Sequence, residues 1–114
     1  MKRVMGLGLG ILIVAAGAAS GQTIPSQKEP TQIERGRQLL ASNCSGCHAI
    51  GRAGVSPHSE APPFRVLGQR YPIESLEEAL GEGLVSGHPE MPEFRFTPDD
   101  VGAIIAYLTS VQVK

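Results

Sequence analysis

The chain has 114 residues, 41% of them apolar and 18% charged, with a formal net charge of −1. That length holds a leader and one small domain, and the absence of a basic stripe argues against a nucleic-acid partner. Two cysteines, only three residues apart, exclude a disulfide framework as the source of stability.

The N-terminus reads first. Met1-Lys2-Arg3 is a positive start, residues 4–19 form an apolar run rich in Gly and Ala, and small residues fill 16–21. This pattern predicts a signal peptide over residues 1–21. The run is shorter than the ~20 apolar residues of a spanning helix, so membrane attachment enters only if the leader is left uncleaved. Residues 22–30, with Pro25 and Pro30 and no periodicity, predict a flexible lead-in to a domain over 31–114. Beyond residue 21 stand 8 basic and 11 acidic residues, a formal charge of −3.

Thr31-x-x-Glu34 has the form of a capping box, and Ile33, Gly36 and Leu40 recur on one side of the helix it opens, predicted over 32–43. Gly36 costs helix propensity, a cost that close approach by another helix would explain. The helix delivers the chain into Cys44-Ser45-Gly46-Cys47-His48. At i, i+3 and i+4 the two sulfurs and the imidazole share one face of a helical turn. Two thiols there suit thioether attachment of one heme, and the adjacent imidazole suits its iron; Cys-x-x-Cys-His is the spacing of c-type heme attachment. Three alternatives stand beside it: a thioredoxin-like redox pair, which wants a βαβ pattern, a zinc site completed by His58 or His88, and a simple disulfide.

Residues 49–69 keep no helical or strand period and predict a long loop of the functional kind. Within it Ala61-Pro62-Pro63-Phe64 presents a carbonyl outside helix geometry and an aromatic suited to lie against a flat ligand, while His58 reads as a solvated loop residue. A second helix is predicted over 72–81, with Glu74, Glu77 and Glu78 in its first turns and Ile73, Leu76, Ala79 and Leu80 on its apolar face. The loop that follows, 84–96, carries His88-Pro89-Glu90-Met91-Pro92. Met91 is the one methionine beyond the leader, and the prolines beside it stiffen its carrier. It is the first candidate for a sulfur ligand, with His88 its rival. Thr97-Pro98-Asp99-Asp100 then opens the last helix, whose stripe of Val101, Ile104, Ile105 and Leu108 is helical in period. Tyr107, beside that stripe, is placed to meet Gly36.

On these residues the chain resembles the class I c-type cytochromes from about Ile33 to Val111. Gly36 and Leu40 precede Cys44 at that family's spacing, and Ile104-Ile105-Ala106-Tyr107-Leu108 is similar to its terminal helix. The resemblance implies an all-α cytochrome c fold, three to four helices around one covalent heme c, with crossing terminal helices. It implies heme contacts from Cys44, Cys47, His48, Pro62, Phe64 and Met91, the Pro62 carbonyl accepting a hydrogen bond from His48, and His48 and Met91 on the iron. It further implies a bacterial periplasmic electron carrier, not an enzyme, working with redox protein partners as a monomer or within a redox complex. The rival functions are a cytochrome subunit of a larger oxidoreductase and a heme peroxidase-like enzyme with displaceable Met91. With no Trp in the chain, contact to the propionates falls to Tyr71 or an arginine. The docking lysines of mitochondrial members are missing as well. The face around Cys44, Cys47 and the Met91 loop, with Glu90 and Glu93, is the expected docking site.

Overall fold

The computed structural model describes residues 6, 8, 10–21, 30–84 and 89–114. Helix α1 runs Gln32–Asn43, the span the sequence predicts, and begins where Thr31 Oγ1 accepts from the Glu34 backbone N–H at 3.2 Å. Helix α2 is Leu76–Glu82, and α3 is Pro98–Val111, capped by Thr97, whose hydroxyl accepts from the Asp100 N–H at 3.3 Å. The described residues contain no strand, so the architecture is all-α.

Two expectations need correction. The stretch read as loop to Gln69 ends in a 3-10 helix, Phe64–Gln69, and the helix expected from Pro72 opens as a 3-10 turn, Ile73–Ser75, before it widens into α2. Such turns repeat every three residues. Phe64 and Leu67, both buried, are one such step apart, a signal too short for a 3.6-residue pattern to register. Pro63 and Pro72, with φ near −59°, set the entry to each.

The domain closes where α1 crosses α3. Gly36 is buried there, and a Cβ on it would land on the Ala103 carbonyl and against Tyr107 Cβ. Leu40 and Ile104, at 2% and 0% exposure, fill the crossing, and Arg35 reaches Asp100 Oδ1 at its solvent edge through Nε and Nη2. Ile33, expected on the apolar side, is 48% exposed; burial on α1 begins a turn later, at Gly36. Tyr107 is buried and donates its hydroxyl to the Ile50 carbonyl at 2.9 Å. Gln112, past the end of α3, donates to the Phe64 carbonyl and accepts from the Gly68 N–H, both at 2.7 Å. The C-terminal helix is thereby fastened to the 3-10 helix that follows the Cys-x-x-Cys-His loop.

Residues 10–21 of the expected leader are exposed and not helical, and among the described residues no helix is long and apolar enough to cross a membrane. Most of the expected lead-in, residues 22–29, lies outside the described residues.

Candidate functional site

The end of α1 sets the first wall of the site. The Cys44 and Ser45 N–H groups both donate to the Leu40 carbonyl, and the Cys47 and His48 N–H groups both donate to the Cys44 carbonyl at 3.1 and 2.9 Å. The motif is thus wound as tight turns that continue the helix, which gathers Cys44, Cys47 and His48 on one surface. That surface is one wall of a cavity of about 660 Å³, within the size range of small-molecule and cofactor sites. Its other walls come from Ala61 and Pro62 and, across the opening, from Pro89, Met91, Pro92 and Phe94. Tertiary closure therefore brings Met91 into the cavity that His48 lines.

Each donor has a physical condition that suits it. His48 Nδ1 lies 2.8 Å from the Pro62 carbonyl oxygen, the contact the family resemblance implied. A carbonyl only accepts, so Nδ1 carries the proton and Nε2 keeps its lone pair, the tautomer a metal-binding imidazole needs. Phe64 stacks on the same ring, with centroids 4.6 Å apart. It is buried in the core and supports the imidazole there. No disulfide joins Cys44 to Cys47. Burial, with Cys47 adding to the effect, pushes the Cys44 thiol up to about 11; conversion to a thioether would remove that ionisable group from the interior.

These observations bear on the alternatives. Among the described residues no three His, Cys, Asp or Glu side chains converge as a metal site, and no strand occurs to offer the βαβ setting of a thioredoxin-like pair. His88, the rival to Met91, lies outside the described residues. His58 lies on the loop with its side chain 35% exposed, lines the cavity and pairs with Glu90 at 2.5 Å. Neither Tyr71 nor any arginine lines the cavity. The pairing of His58 had no local signature, since its partner is 32 residues away.

One cavity thus has Cys44, Cys47 and His48 on one wall and Met91 on another. Known proteins resemble this chain over most of its length. The family described as Cytochrome c matches residues 33–112. Cytochrome c6 of a Picosynechococcus species is 33% identical over 79 residues, covering 64% of this chain and 68% of that protein. Cytochrome c-552 of Bradyrhizobium diazoefficiens is 28% identical over 103 residues, covering 90% of this chain and 93% of its own. No solved structure matches the chain at comparable significance.

Proposed function

We propose, on the premise that this chain belongs to the cytochrome c family, that it is an exported periplasmic electron carrier whose iron is held between His48 and Met91. As a class I c-type cytochrome it carries one heme c, joined covalently through Cys44 and Cys47, and it serves electron transport with redox protein partners. The observation that carries the finer reading is that one cavity has Cys44, Cys47 and His48 on one wall and Met91 on another.

When bound, the heme supplies a reversible one-electron change at its iron. Cys44 and Cys47 would fix its position, and His48, oriented by Pro62 and backed by Phe64, would present Nε2 to the metal. Met91, from another wall of the same cavity, would supply a thioether to the metal. Iron held by two protein donors would favour outer-sphere transfer over catalysis. A thioether ligand and a poorly hydrated pocket both favour the less charged ferrous state and so raise the potential. The apolar run over residues 4–19, preceded by Lys2 and Arg3, supports export with removal of residues 1–21.

Absorption spectra of the purified holoprotein, oxidised and reduced, test this reading. Sharp low-spin bands and a weak far-red band of thioether-bound ferric iron are expected, and Met91→Ala should abolish that far-red band. Its persistence in Met91→Ala would assign the axial position to another residue. N-terminal sequencing of the protein recovered from the periplasm tests the leader.

A further inference from the structure

The loop carrying Met91 is anchored at its base, where the Leu84 N–H donates to the Phe94 carbonyl and the Phe96 N–H donates to the Leu80 carbonyl at 2.9 Å. Far from that base, Glu90 Oε2 meets His58 Nε2 at 2.5 Å. Among the described residues this is the one hydrogen bond made by segment 89–92, and both partners line the cavity. His58 is itself fixed. Its backbone N–H donates to the Cys47 carbonyl at 3.1 Å, and its Nδ1 accepts from the Glu60 N–H at 3.3 Å. A backbone N–H only donates, so Nδ1 is the unprotonated nitrogen and Nε2 carries the hydrogen given to Glu90.

We propose that His58 is a positioning residue for Met91: through Glu90 it ties the sulfur-bearing segment to the backbone of the Cys44–His48 turn across the cavity mouth. The inference rests on the reading of Met91 as the axial sulfur. Glu90 immediately precedes Met91, and Pro89 and Pro92 stiffen the segment around them. Holding Glu90 therefore restricts the excursions that would carry the thioether away from the metal. The Glu90 side chain is 76% exposed and that of His58 35% exposed, so the link is a modest one. It acts on the opening of a loop, an event that costs far less than global unfolding.

Displacement of the Met91 sulfur by exogenous imidazole in the ferric holoprotein, followed by loss of the far-red band, tests the proposal. At saturating imidazole the rate is limited by departure of the sulfur, so it reports loop release and not access to the cavity. His58→Ala and Glu90→Ala should each raise this limiting rate by about two- to fivefold, the range for an exposed ionic hydrogen bond. The double variant should match the singles, because both remove one link, and His58→Gln, which keeps an amide donor, should restore most of the wild-type rate. Unchanged limiting rates in both single variants, or effects that multiply in the double variant, overturn the proposal. A wild-type protein without the far-red band, or a Met91→Ala protein that retains it, overturns the Met91 reading and the proposal with it, and that result is read before any His58 variant is made.

Discussion

Two histidines in this chain illustrate how a single hydrogen-bond partner decides what an imidazole does. At His48 Nδ1 donates to the Pro62 carbonyl, which in the neutral ring leaves the lone pair at Nε2; at His58 Nδ1 accepts from the Glu60 N–H, which leaves Nε2 as the donor. The first is equipped to bind a metal, the second to hold a carboxylate. Tyr107 has an equally specific task. Its hydroxyl satisfies the Ile50 carbonyl, in the segment that leads from the Cys-x-x-Cys-His turn towards Pro62. Tyr107→Phe removes that donor while keeping the ring and the Cβ that packs at Gly36. A loss of about 1–2 kcal/mol is expected, the cost of leaving one partly buried acceptor unpaired, measurable by guanidinium unfolding of the holoprotein.

Among the elements, the crossing of α1 and α3 carries the most. Gly36 is retained in mid-helix because the Ala103 carbonyl occupies the space a side chain would take. Gly36→Ala gains helix propensity, close to 1 kcal/mol at an open site, yet here it must push the two helices apart. The steric cost wins, since a backbone carbonyl cannot swing aside as a flexible side chain does. Net destabilisation of about 1–3 kcal/mol is expected, with a lowered denaturation midpoint in the same unfolding measurement. Ala103 and Ile104, both at 0% exposure, leave no slack at the contact to absorb the shift. The 3-10 helix after Pro63 depends on the same closure, because Gln112 bonds it at both Phe64 and Gly68.

At the scale of the whole molecule, the balance of 8 basic and 11 acidic residues beyond residue 21 is combined with carboxylates at the cavity mouth, where Glu60 and Glu90 contribute to the lining. A redox partner approaching that face meets negative charge. Glu60 is the cleaner probe, since it is exposed and the contact it makes to His58 comes from its backbone. Glu60→Lys should change the bimolecular electron-transfer rate with a physiological partner at low ionic strength, and the difference should fade as salt is added. Equal rates for both proteins at low salt would place the docking face elsewhere.

What the sequence by itself determined lies within short reach along the chain. The capped helices at Gln32–Asn43 and Pro98–Val111, the turn that gathers Cys44, Cys47 and His48, and the need for a small residue at Gly36 all follow from spacings of three or four residues, where helical geometry leaves little choice. Together with the family pattern they made the all-α fold and its heme legible. Only the tertiary structure decided that Phe64 backs the imidazole, that Ile33 stays in solvent, and that His58 reaches Glu90 across the cavity. Each of these depends on where loops without a period come to rest. Such positions are chosen by the packing of α1 on α3 and by hydrogen bonds between residues distant in the chain, for which no local spacing carries a signal.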